Sequence, residues 1–265
     1  MDVLKRNHVQ VLGHGKNPMV FVHGFGCDQQ MWRWITPAFQ EQYQIVLFDH
    51  VGAGHSAVES YDPLRYDTLQ AYAEDLLEIC HALSLKQVIL VGHSVSAMIG
   101  MLAAIQQPDL FSKLILIGPS PCYLNDDPYQ GGFSRADIED LLDSMDRNYL
   151  GWSSTMAPVI MGNADRPQLG QELTESFCRT NPEMARQFAR VTFLSDNRAD
   201  LSKLTVPSLT LQCSNDLIAP QFVGEYLHQH LSNNTLVVLK ATGHCPHMSA
   251  PHETIEAIQR YLDNN

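Results

Sequence analysis

Short runs dominated by Val, Ile and Leu recur at 19–22, 44–48, 87–91, 113–117, 208–212 and 235–239. The stretch Val88-Ile89-Leu90-Val91 has no polar position, as a strand covered on both faces requires. Between these runs, apolar positions recur at helical spacing over 69–83, 97–105 and 253–262. Strands and helices in alternation predict an α/β fold with a mostly parallel, doubly wound sheet. A further short run at 9–12 predicts an antiparallel edge strand.

The alternation stops between about residues 120 and 204. That segment reads as helical throughout, for example over 134–149 and 182–193, with Pro158, Pro167 and Pro182 as punctuation. The expected organisation is a core of residues 1–119 and 205–265 with a helical lid, 120–204, inserted between two strands. An insertion at a strand's C-terminal end sits where open α/β sheets bind ligands. The plainer alternative is a helical layer with no role at the site.

Composition narrows the function. The 265 residues are 45% apolar, enough for a sizeable core. Lys and Arg total 17 against 29 Asp and Glu, a net charge of -12 with no basic run, which argues against nucleic acid as a partner. Six cysteines without a CxxC pair suit reduced thiols and a cytoplasmic protein. No signal-peptide pattern opens the chain and no apolar run reaches 18 residues, so no membrane association is expected.

The strongest chemical signal is Gly92-His93-Ser94-Val95-Ser96, directly after the run 87–91 and before a helix of small residues. This is the strand–turn–helix setting of a nucleophile elbow, G-x-S-x-G, with Ser96 at the final glycine position. A serine nucleophile needs a base, and the base an orienting acid. In elbow-type hydrolases these follow in the order Ser, Asp, His. Asp216, just past the strand 208–212, and His244, a few residues after the strand 235–239, satisfy that order. Asp196 and Asp200 are rivals for the acid but precede the strand; His247 competes with His244. An oxyanion hole would take the Val95 N–H and, from the loop His23-Gly24-Phe25-Gly26, the Phe25 N–H.

Two other patterns carry less. Gly52-Ala53-Gly54-His55-Ser56-Ala57 matches G-x-G-x-x-A, but no helix pattern begins there, so a loop is expected rather than a dinucleotide site. The 12 histidines form no HExxH pair, and neither a metal nor an organic cofactor is called for. Aromatic and Met side chains of the insertion suggest an apolar pocket. Its expected walls are Phe25, His93, Tyr123, Phe133, Leu141, Trp152, Met156, Phe193 and Ile218.

Several segments are more specific than the triad: Gly24-Phe25-Gly26-Cys27-Asp28-Gln29, Gly118-Pro119-Ser120-Pro121-Cys122-Tyr123, Gln130-Gly131-Gly132-Phe133 and Gly243-His244-Cys245-Pro246-His247. By these the chain resembles the α/β-hydrolase group of the bacterial RsbQ-type stress regulators and the plant karrikin and strigolactone receptors, most of all the RsbQ type. The resemblance implies a Ser94–Asp216–His244 triad under a four-helix lid. It also implies slow hydrolysis of a small hydrophobic ester, lactone or enol ether. The alternative it implies is a ligand sensor acting through a partner protein in a stress-response pathway, such as a PAS-domain phosphatase.

Overall fold

The computed structural model describes residues 2–264. Seven strands, β1 (Gln10–Leu12), β2 (Asn17–Val22), β3 (Tyr43–Leu47), β4 (Val88–His93), β5 (Phe111–Ile117), β6 (Ser208–Asn215) and β7 (Asn234–Thr242), form one sheet in the order β1-β3-β2-β4-β5-β6-β7. All neighbours are parallel except β1, which runs antiparallel to β3 as the edge strand its short run predicts. The helices are α1 (Val3–Arg6), α2 (Leu69–Ala82), α3 (Val95–Gln106), α4 (Arg135–Arg147), α5 (Tyr149–Met161), α6 (Pro167–Arg179), α7 (Pro182–Phe193), α8 (Gln221–His230), α9 (Pro246–Ser249) and α10 (Pro251–Asn264). Among the described residues no helix is long and apolar enough to cross a membrane.

The two-residue period of the strands splits the core into two layers. Met19, Phe21, Ile89, Val91, Ile115 and Ile117 face the inserted helices and α10, whereas Val20, Val22, Leu90, Leu114 and Leu116 face α2, α3 and α8. Every residue of β4 is buried, which is why its sequence carries no polar alternation. Chain order reverses between β2 and β4, and Val22 pairs with Gly92 at their C-terminal ends. The residues that follow each strand therefore meet over this crevice, the place where such sheets bind ligands.

Helices α4 to α7 lie between β5 and β6 in the chain. The segment differs from its sequence reading in three ways. Residues after β5 up to Ser134 form an irregular loop, held by the bridges Leu124↔Phe133, Asp126↔Tyr129 and Cys122↔Asp196, because Gly and Pro break any helical run there. The pattern over 134–149 ends in a break, since the Asn148 side chain caps a new helix by accepting from the Gly151 N–H. Pro158 lies inside α5 instead of ending it. It sits on the exposed side of the last turn, where the carbonyl it leaves unpaired is open to water.

Candidate active site

Ser94 occupies the step from β4 to α3 at φ 56° and ψ −126°, a region that costs a side-chain-bearing residue about 1–3 kcal/mol. Three contacts impose it. The Ser94 N–H donates to the Ile117 carbonyl at 2.8 Å, tying the turn to β5. A side chain at Gly92 would meet the Ser96 carbonyl oxygen at 2.5 Å, and one at Gly24 would meet the His93 ring at 2.6 Å and the Ser94 Cβ at 3.3 Å. Strand, helix and the loop after β2 thus approach closely enough to force the serine upward.

His244 Nε2 lies 2.8 Å from Ser94 Oγ, and His244 Nδ1 lies 2.7 Å from Asp216 Oδ2. The other Asp216 oxygen accepts from the Ile218 and Ala219 N–H groups at 2.8 and 3.1 Å, which fixes the carboxylate plane. Gly118, in the left-handed region just after β5, abuts the His244 ring; a Cβ there would stand 3.2 Å from Cε1. The rivals are engaged elsewhere. Asp196 pairs with Arg198 at 2.6 Å, which holds its carboxyl below the usual range, and Asp200 pairs with Lys203 at 2.7 Å. His247 is fully buried between the Trp32 and His93 rings.

Val95 opens α3, so its N–H has no intrahelical acceptor. The Phe25 N–H comes from the loop that touches Ser94 through Gly24. Ser96 is more than a small residue. Its hydroxyl donates to the His23 carbonyl at 2.5 Å and lies 2.8 Å from His50 Nε2.

The cavity over Ser94 measures only about 30 Å³, room for little more than one water. Phe25, His93, Tyr123, Phe193 and Ile218 line it as expected. Phe133, Leu141, Trp152 and Met156 do not. Trp152 stacks behind Phe177 with ring centroids 5.9 Å apart and the planes within 8°, so Phe177 covers it. Phe133 touches Phe193 from the far side at 6.4 Å. Leu141 and Met156 are half-buried side chains packed against the core, and the α5 residue that enters the cavity is Ile160, one turn beyond Met156. Cys27, Leu173, Phe177, Thr192 and Cys245 complete the lining without having been anticipated. The pair Leu173 and Phe177 at i,i+4 on α6 was the available signal. A wider groove between β7 and α10, about 670 Å³, is lined by Val238, Lys240, Glu253 and Arg260 and contains no serine or histidine.

Burial sets the charges around the cavity. It holds His50 and His93 well below the usual histidine range, and His247 down to about 3, so these rings are neutral. It pushes the Tyr123 phenol up to about 12, partly offset by the neighbouring Ser94 hydroxyl, and raises the Cys27 and Cys245 thiols. His93, Cys245 and His247 bring donor atoms within 4.8 Å of one another, the set best placed to hold a metal among the described residues. His93 Nε2 already bonds the His244 carbonyl at 2.8 Å. The loop Gly52 to Ala57 leads only into a single 3-10 turn, Val58–Ser60, and its Gly52 and His55 N–H groups bond Ser56 and Asp49 instead of forming an open phosphate cradle.

Comparison with known proteins agrees with this architecture. The model of the alpha/beta hydrolase family matches residues 19–257. A strigolactone esterase of Arabidopsis thaliana is 41% identical over 98% of this chain and 98% of its own. A karrikin insensitive 2 receptor of Petunia hybrida is 40% identical over 97% of this chain and 94% of its own. The solved structure of a hydrolase from Oleispira antarctica superposes with a TM-score of 0.97 at 41% identity, covering 100% of this chain and 97% of that one. With a serine on a strained strand–helix turn at the β2/β4 crevice and whole-length relatives of this kind, the chain belongs to the α/β-hydrolase family, in the group that contains the strigolactone and karrikin receptor-type esterases.

Proposed function

We propose that the chain is a cytoplasmic serine hydrolase that cleaves a small hydrophobic ester, lactone or enol ether through Ser94, His244 and Asp216. The observation that carries this reading is the unbroken series from Ser94 Oγ through His244 to Asp216, at 2.8 and 2.7 Å, starting on a strained elbow. Ser94 attacks the carbonyl while its proton passes to His244 Nε2, and Asp216 holds the imidazole and stabilises the cation that forms. The developing oxyanion is received by the Phe25 and Val95 N–H groups. His244 then returns the proton to the departing alcohol or enol, leaving Ser94 acylated. Water, deprotonated by His244, releases the acid and restores the serine. The cavity of about 30 Å³ is far below the ~300 Å³ or more of drug-sized sites, so the substrate is small or the rings above must part. Residues 120–204 act as the lid that parts, over a core of 1–119 and 205–265.

A second reading, ligand sensing with slow turnover, is favoured by one feature. The turn after α5 is tied to the His244 loop: the His244 N–H bonds the Ile160 carbonyl at 2.9 Å, Asn163 bonds the Thr242 carbonyl at 2.9 Å, and Arg166 bonds the Ser249 carbonyl at 2.6 Å. A ligand that moves His244 therefore moves the lid, and a partner protein such as a PAS-domain phosphatase could read that change.

The test is hydrolysis of p-nitrophenyl acetate by the wild type and Ser94→Ala, with intact mass recorded during turnover. The expected result is activity with a transient acetyl adduct in the wild type and neither in the variant. Equal rates in both proteins would overturn the Ser94 mechanism. A full acetyl adduct that turns over slowly would move the weight to the sensing role.

A further inference from the structure

We propose that His50, Ser96 and His23 form a positioning network that holds the Phe25 N–H in the oxyanion-binding orientation. The proposal rests on the hydrolase reading above. Its basis is that every proton in the network has one allowed position. Ser96 Oγ spends its only proton on the His23 carbonyl at 2.5 Å. It must therefore accept from His50 Nε2, 2.8 Å away, so His50 carries its proton on Nε2. The His50 backbone N–H donates to His23 Nε2 at 3.1 Å, so the His23 proton sits on Nδ1 and is donated to the Gly24 carbonyl at 2.9 Å.

Both peptides flanking Gly24 are thus gripped through their carbonyls. The first, His23–Gly24, is held by the Ser96 hydroxyl. The second, Gly24–Phe25, is held by the His23 ring, and its N–H is the proposed oxyanion donor. Gly24 needs such external support, because a glycine has no side chain to restrict its backbone. A hydrogen bond to the carbonyl also polarises the peptide and strengthens the N–H on its other side. His23, His50 and Ser96 are all buried, so no water competes for these bonds. Burial and the His23 ring keep His50 neutral, which preserves a single proton arrangement. The serine at the elbow's last position follows from this. Glycine there would remove the hydroxyl that accepts from the His50 Nε2–H and donates to the His23 carbonyl.

The test uses Ser96→Gly, His50→Phe and His50→Gln, the last keeping an N–H near the Nε2 position. Three quantities are read: kcat and KM on p-nitrophenyl acetate, affinity for a small alkylboronic acid that mimics the tetrahedral oxyanion, and fluorophosphonate labelling of Ser94 by mass. Ser96→Gly and His50→Phe are expected to lower kcat about 10- to 100-fold with KM within about twofold, a fraction of the loss on deleting an oxyanion donor. Boronate affinity should fall in parallel, and His50→Gln should recover most of both. Variants with wild-type kcat and boronate affinity, on protein whose Ser94 is labelled, would overturn the network while the triad stands. So would a fall in kcat with unchanged boronate affinity, which marks a merely structural effect. Should one variant fail to fold, Ser96→Ala and His50→Gln carry the same comparison. Wild-type protein without a Ser94 label would overturn both readings together.

Discussion

The rim of the sheet and the helices above it are held by different forces. At the rim, Ser94, His244, Asp216, His23 and Ser96 are each placed by directed hydrogen bonds, among them the Ser94 N–H on the Ile117 carbonyl of β5. Above it, Phe177, Phe193, Phe188 and Trp152 surround Phe25 at ring separations of 5.6–6.4 Å, with packing as the main restraint. Directed hydrogen bonds lose strength steeply with misalignment, so they define one geometry. Ring contacts have shallow, broad optima and tolerate several arrangements. On the proposed reading the triad is held in one arrangement, and the shape of the pocket is the adjustable part.

The largest effect should come from breaking a directed bond at the rim. Asp216→Asn keeps an acceptor for Ile218 and Ala219 but turns an amide N–H₂ toward His244 Nδ1. The ring then holds its proton on Nε2 and cannot take one from Ser94. A fall in kcat of about 10⁴-fold on p-nitrophenyl acetate, with little change in melting temperature, is the expected outcome. A loss below tenfold would remove Asp216 from the orienting role.

Cutting a ring from the lid should instead change selectivity. The Phe177 ring presses on Gly26, where an added Cβ would lie 2.3 Å from it, and stacks on Trp152. Phe177→Ala is expected to destabilise the fold by about 3–5 kcal/mol. It should also shift preference from acetyl toward butyryl or hexanoyl p-nitrophenyl esters by about 10-fold or more. An unchanged chain-length profile in a folded variant would mean that the lid is as rigid as the rim.

A smaller effect lies in the pH dependence of stability. The His247 pKa is about 3 in the folded protein, below the ordinary 6.5, because burial disfavours the cation. Between those values the unfolded chain binds a proton that the folded protein refuses, so stability falls as pH drops through that window. His247→Gln should flatten the acid limb of a urea-denaturation series between pH 6.5 and 4 by up to about 1.4 kcal/mol per pH unit. An identical slope in the variant would contradict the burial argument.

The smallest effect concerns thiols. Of the six free cysteines only Cys178 is partly exposed, and Cys27 and Cys245 face the closed cavity. An aromatic disulfide reagent should modify one thiol quickly in the native protein and six in denaturant. Fast reaction of Cys27 or Cys245 would show the lid opening readily.

Strands β1 to β7 and helices α2, α3, α4, α7 and α10 were legible in the sequence because their signals are local. A continuous run such as Val88 to Val91 needs cover on both faces, and small residues around Ser94 permit a sharp turn. The order of Ser94, Asp216 and His244, each past the end of a strand, was legible for the same reason. The break at Asn148 and the passage of α5 through Pro158 were not, because capping and solvent access at a proline depend on neighbouring chain.

The pocket shows most plainly where sequence stops. Every aromatic of the insertion looks alike at helical spacing, yet Phe177 faces Ser94 and Trp152 stands behind it, a choice made by the packing of α6 against α5 and Gly26. Likewise Ser96 reads as a small substitute for glycine until His50 and His23, 46 and 73 residues away, close around its hydroxyl. Backbone periodicity and turn chemistry act over a few residues, so the chain alone determined the sheet, the elbow and the order of the catalytic candidates. Which side chains meet across distant segments is decided by packing and burial, and these exist only in the folded protein.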